Sequence, residues 1–151
     1  MEGLSEDQYA LLFTVRHAIR QYMRWSEQQA SLRGLSPQQH QLLLAIRAHP
    51  GDMAPSTGQV ADYLMVRPNS AVELIGRVEA MGLVARCPDH NDQRIVRVAL
   101  TDSGRALLEE LAAAHLQELE RIAGRLQISA EFLEHLSTEF IEKTSGHDAL
   151  K

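Results

Sequence analysis

The spacing of apolar residues changes at Gly82 from that of a helix to that of a strand, and this change restricts the possible folds. Before Gly82, apolar residues recur at helical spacing in two short segments, and a turn of three residues (65–67) separates them. After Gly82 the period becomes that of extended strands, over residues 83–87 and 93–100, with a polar turn at 88–92. Two short helices, a tight turn and a hairpin together predict a winged helix-turn-helix.

Helix signals extend this pattern to about six helices, so the predicted fold is mainly α with a small antiparallel β-wing. Ser36, Pro37 and Gln39 form an N-terminal capping box for a helix that ends at residues 49–51. The other predicted helices cover about residues 5–30, 57–64, 68–81, 101–126 and a last segment from 129. The apolar pattern predicts these residues of the fourth and fifth helices to face inward: Ala71, Leu74, Ile75, Val78, Met81, Leu108, Leu111, His115, Leu119 and Ile122.

The charge distribution favours one segment as a nucleic-acid surface. The 151-residue chain has 15 Lys and Arg against 20 Asp and Glu, so its formal charge of −5 offers no overall basic field. Residues 64–100 are the only segment that is not negative, and all of their basic residues are Arg. Arginine suits the recognition of phosphates and base edges better than lysine does.

Several classes of function lack their sequence signals. A single cysteine excludes an intramolecular disulfide framework, and the histidines show no i, i+3 or i, i+4 pair typical of a metal site. No glycine-rich phosphate loop, nucleophile elbow or pair of catalytic carboxylates occurs. We therefore expect a protein that is not an enzyme, without cofactor or metal. The longest apolar run, residues 42–46, is too short to span a membrane, which favours a cytoplasmic location.

The fourth helix presents a polar face opposite its apolar one. Asn69, Ser70, Glu73 and Arg77 lie on that face, and a helix of this kind fits the DNA major groove while the hairpin tip reaches the neighbouring minor groove or backbone. Glu73 either accepts a hydrogen bond from a cytosine amino group or, as we favour, pairs with Arg77 one turn later. The alternative is that two amphipathic helices simply pack together, and the hairpin that follows at once argues against it.

Four stretches of the sequence resemble the MarR family of transcriptional regulators, and the resemblance runs from about residue 8 to 140. They are residues 35–46 (LSPQQHQLLLAI), 69–84 (NSAVELIGRVEAMGLV), 92–94 (DQR) and 100–104 (LTDSG). The Asp-x-Arg of the predicted wing, followed by Leu-Thr-x-x-Gly, is a specific combination. The sequence departs from the family in the turn at residues 65–67, where Met65 stands at a position that is commonly glycine. We therefore expect the backbone of this turn to avoid a positive φ at Met65.

The resemblance implies a homodimer that binds double-stranded DNA at a pseudo-palindromic operator. Residues 1–34 and 101–151 would form a helical dimerisation region, and residues 35–100 the winged DNA-binding region of a single domain. The recognition helix would be residues 68–81, Arg94 would be the wing-tip arginine, and Asp92 would hold Arg77 or Arg97. The DNA-binding residues expected on this basis are Arg67, Pro68, Asn69, Ser70, Glu73, Arg77, His90, Asp92 and Arg94.

Family members also respond to small phenolic or carboxylate ligands, which implies an effector pocket. Aromatic and cationic residues of the first two helices are the candidates for its lining: Tyr9, Phe13, Arg16, Arg20, Trp25 and His40. Arg16, Arg20 and Arg24 form an i, i+4 stripe that either clamps a carboxylate ligand or, as we favour, faces the acidic last helices or the dimer interface.

We therefore expect a DNA-binding transcriptional regulator, specifically a repressor that a small ligand releases. Two alternatives stay open. One is a winged-helix module that binds protein and not DNA, and the other is a redox sensor that acts through Cys87, at the end of the first wing strand. No lysine neighbours Cys87, although Arg86 does, and the role of a small strand residue is the one we favour for it.

Overall fold

In a computed structural model the described residues, 3–126, form five α-helices and a two-stranded antiparallel sheet. In chain order they are α1 (Glu6–Leu32), α2 (Pro37–Ala48), α3 (Thr57–Leu64), α4 (Pro68–Ala80), β1 (Val84–Pro88), β2 (Val96–Leu100) and α5 (Asp102–Leu126). This order confirms the winged helix-turn-helix. The helix predicted from residue 129 lies outside the described residues.

Side-chain caps begin four of these helices. At α1, the Ser5 hydroxyl accepts from the Gln8 backbone N–H (3.3 Å), and the Gln8 side chain accepts from the Ser5 N–H (2.8 Å). The Ser36 hydroxyl accepts from the Gln39 backbone N–H (3.2 Å), and the Gln39 side chain accepts from the Ser36 N–H (2.9 Å). Ser56 and Gln59 form the same reciprocal box at α3. Thr101 caps α5 by accepting from the Gly104 N–H at 3.1 Å. Each cap satisfies backbone donors that the first helical turn leaves unpaired.

The turn between α3 and α4 adopts a conformation that differs from the one expected from the sequence. Met65 has φ 53° and ψ 42°, in the left-handed region that we expected it to avoid. Its backbone N–H donates to the Asp62 carbonyl, and the Val66 N–H donates to the Ala61 carbonyl, both at 3.1 Å. These two bonds are the Schellman pattern that ends a helix, and they offset the strain of a side chain at positive φ. The Met65 side chain is 92% exposed, so nothing clashes with it.

The backbone divides the chain into two compact units, Ala30–Ala113 and Met1–Gln29 with Ala114–Lys151. The first unit has an apolar core that α2, α3, α4, the sheet and the start of α5 share. Four residues of α4 are buried there, as predicted: Ala71, Leu74, Ile75 and Val78. The fifth predicted inward residue, Met81, lies beyond the helix and is 43% exposed, because α4 ends at Ala80.

The sheet pairs Val84 with Leu100 and Pro88 with Val96. The second strand is shorter than predicted: it starts at Val96 and not at Gln93. The Ile95 N–H donates to the Asp92 carbonyl at 3.0 Å, so residues 92–95 form a turn. On the other side of β2, the Val98 N–H donates to the Pro55 carbonyl (2.9 Å), which joins the loop before α3 to the sheet.

A tight corner fixes the base of the hairpin to α5. Thr101 donates from its hydroxyl to the Gly82 carbonyl at 2.6 Å, and its backbone N–H donates to the Leu83 carbonyl at 3.0 Å. A Cβ on Gly104 would lie 1.9 Å from the Leu83 oxygen. Glycine is therefore the residue that this packing requires, which explains the Leu-Thr-x-x-Gly motif.

The described part of the second unit joins α1 to the later turns of α5. Ser26 Oγ lies 2.8 Å from His115 Nε2, and both side chains are buried. The Trp25 ring meets the His115 ring edge-on, with centroids 4.9 Å apart. His115 is thus inward as predicted, whereas Leu119, one turn later, is 41% exposed and Ile122 half-buried. No helix in the described residues is long and apolar enough to cross a membrane.

Candidate nucleic-acid interface

The outer face of α4 carries the predicted reading residues in an accessible position. Asn69, Ser70, Glu73 and Arg77, which we call the reading face, are exposed, as are Arg67 and Pro68 before them. They are exposed because the apolar residues on the opposite side of α4 turn into the core. The face therefore presents short polar side chains in the first turn and charged ones further along.

Glu73 and Arg77 do not form the salt bridge that we favoured from their spacing. Within the described residues neither side chain makes a hydrogen bond or ion pair. An exposed i, i+4 pair on a helix contributes only about 0.3–0.5 kcal/mol, so side-chain entropy readily keeps the two groups apart. The reading face thus keeps its charged groups available to a partner.

The loop between the two strands, residues 89–95, holds the side chain of Arg94 in a solvent-exposed position. Arg94 donates from Nε to Asp92 Oδ1 and from Nη2 to Asp92 Oδ2, each at 3.0 Å. The same carboxylate accepts from the Arg94 backbone N–H. The Arg94 side chain remains 91% exposed. Asp92 therefore orients the guanidinium and leaves its outer N–H groups unused.

The partner of Asp92 differs from both predicted candidates, Arg77 and Arg97. Asp92 bonds Arg94, two residues away, because the turn at 92–95 brings that side chain back over the carboxylate. Arg97 instead donates from Nε to Asp89 Oδ1 at 2.6 Å. This second pair is largely buried, with side-chain exposures of 17% and 9%.

The Asp89–Arg97 pair ties the loop to the rest of the winged unit. Arg97 also donates from Nη1 to the Ala54 carbonyl (3.0 Å), in the loop before α3. Asp89 Oδ2 accepts from the backbone N–H groups of Asn91 and Asp92. This pair was not predicted from the sequence. The strand register was the usable signal, because Cys87 opposite Arg97 places Asp89 beside that arginine.

A third pair, also missed, joins the end of α4 to β1. Glu79 accepts from the Arg86 backbone N–H at 2.9 Å and from its Nε and Nη2 at 3.2 and 2.9 Å. All three arginines of the hairpin are therefore bonded to carboxylates. His90, the remaining predicted DNA contact, is exposed in the loop.

These bonds shift the pKa values of the paired carboxylates and of Arg94 so that the charged form of each group is favoured. The Arg97 guanidinium is the main cause that lowers the pKa of Asp89, and Arg94 does the same to the pKa of Asp92. Arg86 likewise lowers the pKa of Glu79, while Asp92 raises the pKa of Arg94. All of these groups consequently keep their charges, and the pairs stay intact, across the physiological pH range.

The predicted effector-pocket residues belong to both compact units. Tyr9, Phe13, Arg16 and Arg20 lie exposed on α1, whereas His40 is buried on α2 in the other compact unit. Trp25 packs on His115 and lies 6.3 Å from the Tyr22 ring, centroid to centroid. Burial is the main cause that raises the pKa of Tyr22.

The arginines of the predicted stripe and the single cysteine are all exposed. Arg16, Arg20 and Arg24 are exposed and form no ion pair within residues 3–126. Cys87 is exposed on β1, where it lines an open apolar groove of about 380 Å³ with Thr57, Val72, Arg86, Pro88 and Val96. Across the described chain, no group of three or more His, Cys, Asp or Glu side chains is placed to hold a metal ion.

Comparison with known proteins agrees with this geometry. Residues 33–95 match the model of the MarR family. The transcriptional activatory protein BadR of Rhodopseudomonas palustris is 42% identical over 79 residues, which are 52% of this chain and 45% of BadR. The transcriptional repressor MdtR of Bacillus subtilis is 29% identical over 106 residues, 70% of this chain and 60% of MdtR. The winged helix-turn-helix part of the chain is similar to the MarR family.

Solved structures show the same fold over nearly the whole chain. The MarR-family regulator AbsC of Streptomyces coelicolor superposes with a TM-score of 0.70 at 20% identity, covering 98% of this chain and 99% of AbsC. A MepR–DNA complex from S. aureus gives a TM-score of 0.65 at 19% identity, covering 95% and 99%. The sequence matches are shorter, and the aligned parts span only about half of the curated relatives' lengths.

Proposed function

We propose that this protein is a sequence-specific DNA-binding regulator of transcription. The observation that carries the proposal is the Arg94 guanidinium, which Asp92 holds in solvent at the wing tip, and the reading face of α4 is exposed as well. A guanidinium at a wing tip suits the electronegative minor groove or a phosphate, and a polar helix face suits the major groove. The curated relatives are transcriptional regulators, and one structural neighbour is a DNA complex.

The proposed contacts divide into those that position the protein and those that read sequence. Arg67, Arg77 and Arg94 bind the backbone or the minor groove, and His90 adds a polar wing contact. Asn69 and Ser70, in the first turn of α4, reach base edges, where Asn pairs with adenine. Glu73, which has no partner in the described chain, accepts from a cytosine amino group.

We propose that the regulator is a homodimer that addresses a pseudo-palindromic operator. Large apolar side chains of α1 are exposed, among them Leu11 (63%), Phe13 (69%) and Ile19 (56%). Exposed apolar surface of this kind marks a protein interface. The dimerisation region comprises residues 1–34 and 101–151, the DNA-binding region residues 35–100, and the interface buries more than about 2,000 Å² in total. A folded monomer at micromolar concentration in sedimentation experiments would contradict this.

We further propose repression that a small aromatic acid or phenol relieves, in the cytoplasm and without catalysis. The support is the set of exposed aromatic and cationic side chains on α1, and the relatives include a named repressor as well as a named activator. Thermal-shift screening of salicylate-like compounds tests the ligand, and a reporter gene behind a bound promoter tests the sign of regulation.

The test of DNA binding uses the full chain and duplexes enriched from a random pool. Wild type, Arg94→Ala, Asn69→Ala and the control Arg105→Ala are titrated against an enriched duplex and a scrambled one at several salt concentrations. We expect Arg94→Ala to weaken binding to both and to flatten the salt dependence by a slope of about one.

Asn69→Ala should leave the salt slope unchanged and lose about 1–3 kcal/mol of discrimination between the two duplexes. Arg105→Ala removes an exposed arginine of α5 and should bind as wild type does. Full affinity of Arg94→Ala would make the assignment of the interface wrong. If wild type enriches no duplex, the chain is a protein-interaction module.

A further inference from the structure

A glycine stands near the middle of α4, where a helix does not favour it. Gly76 is the ninth residue of the helix Pro68–Ala80, well inside both ends. Glycine in a helix interior lowers stability relative to alanine, because it loses more backbone entropy on folding. Such a glycine calls for a compensating reason.

The described chain supplies neither of the two usual reasons. The glycines with positive φ in residues 3–126 are Gly34, Gly51 and Gly82, so Gly76 needs no special backbone conformation. A Cβ built on Gly76 would find no atom within 4 Å, so no neighbouring segment packs closely against it. Gly104 shows the contrast, because the Leu83 oxygen would lie 1.9 Å from its Cβ.

The position of Gly76 on the helix points outward. It lies one turn after Val72 and Glu73 and two turns after Asn69, so it shares their side of α4. The buried residues Leu74, Ile75 and Val78 occupy the opposite side. The gap that Gly76 leaves is therefore in the middle of the surface that the proposed function turns toward DNA.

We propose that duplex DNA makes its closest approach to α4 at Gly76, and that the missing side chain lets α4 enter the major groove deeply enough to read bases. A helix with its side chains is about 10–12 Å across and the groove about 12 Å wide, so one large side chain in the middle of the contact holds the helix away. Asn69 and Ser70 are short, and they reach base edges only if the helix backbone comes close. This inference rests on the proposed function. It adds Gly76 as a residue that determines specificity because its missing side chain leaves room for the DNA.

The experiment separates folding from recognition by enlarging residue 76 in steps. We expect Gly76→Ala and Gly76→Leu to fold as wild type does, with Tm raised by about 1–4 °C for Ala. Affinity for the enriched duplex should fall with side-chain size, by about tenfold to a hundredfold for Leu, the range of one mismatched base pair. Affinity for scrambled duplex should change less than about threefold, because looser binding depends on charge.

Gly124→Ala is the matched control. Gly124 is also a helical glycine in open space, on α5. Sedimentation first establishes that Gly124→Ala has the same oligomeric state as wild type, and at equal oligomeric state its affinity for the enriched duplex should equal that of wild type.

Three results would overturn the inference. If Gly76→Leu keeps wild-type affinity and discrimination while wild type binds the enriched duplex, the inference fails and the proposed function stands. If Gly76→Ala lowers Tm, the glycine serves folding and the inference is wrong. If wild type binds no duplex, both the proposed function and the inference fail.

Discussion

The reading face and the wing hold their charges in opposite ways. On α4, Glu73 and Arg77 make no ion pair within the described residues, whereas in the wing, residues 84–100, every arginine is bonded to a carboxylate. Ordering a long side chain on binding costs about 0.5–1.5 kcal/mol. The wing has met this cost during folding, while α4 leaves its side chains free to adapt. The wing therefore suits a contact of fixed geometry, and α4 suits a contact to which its side chains can adapt.

Disrupting the packing between the base of the hairpin and the first turn of α5 should lower stability more than any other change considered below. Gly104→Ala places a methyl group 1.9 Å from the Leu83 oxygen, so the first turn of α5 or the hairpin must move. Overpacking of this kind costs about 1–3 kcal/mol or more, which we expect as a fall in Tm of several degrees and weaker DNA binding. Thermal unfolding checks it, with the exposed neighbour Ser103→Ala as the control. Unchanged stability of Gly104→Ala would show that the corner relaxes freely.

A second prediction compares the removal of one negative charge from the wing with the removal of one from the reading face. Asp92→Asn and Glu73→Gln both delete one negative charge near the proposed DNA surface. We expect Asp92→Asn to weaken binding a few-fold, because Arg94 loses the carboxylate that orients it. We expect Glu73→Gln to strengthen binding to scrambled duplex, because only repulsion from phosphate is lost.

Titrations of both variants at one salt concentration measure the two changes. Equal increases in affinity would mean that charge alone matters and that Asp92 does not act through Arg94. Arg94→Ala combined with Asp92→Asn supplies the control, since the second change should then no longer weaken binding.

A third prediction concerns pH and the wing alone. The bonds from Arg97 and Arg94 lower the pKa values of Asp89 and Asp92 in the folded protein, relative to about 3.9 in the unfolded chain. Their contribution to stability is therefore complete above that pH and is lost as the pH falls through the lower folded-state values. NMR titration of the side-chain carboxyl carbons checks this. Values at or above 3.9 would show that the pairs do not persist in solution.

The smallest effect is expected at the entry to α4. Met65→Gly removes the cost of a side chain at φ 53° and loses no packing, because the side chain is 92% exposed. We expect a gain of about 0.5–1 kcal/mol in the free energy of unfolding. Denaturant unfolding measures it, and Met65→Ala, which keeps a Cβ, should show little gain. A loss of stability in Met65→Gly would mean that the Schellman turn needs a stiffer backbone.

The sequence predicted the elements well because caps and periodicity are local signals. Ser36 with Gln39, and the alternation after Gly82, depend only on neighbouring residues, and both predictions are confirmed. The partner of Asp92 and the conformation of Met65 were predicted wrongly. The turn at residues 92–95 determines which arginine Asp92 binds, and two backbone hydrogen bonds determine the conformation of Met65. Neither is encoded in hydrophobic pattern.

Exposure of the reading residues was predictable, since burial of one helix face fixes the opposite one. The ion pairs of the wing were not, because Asp89 and Arg97 meet only once the strand register is known. The same reasoning applies to Glu79 and Arg86, which join a helix end to a strand. Long-range polar contacts of this kind can be predicted only once the fold is known.

The bond between Glu79 and the Arg86 backbone also protects the outer edge of the sheet. An unpaired strand edge offers a row of N–H groups to which another chain can add, which leads to aggregation. On β1, Glu79 already occupies the Arg86 N–H, and Pro88, two residues along the same edge, has no N–H to offer. The exposed hairpin is thereby kept from pairing with strands of other chains.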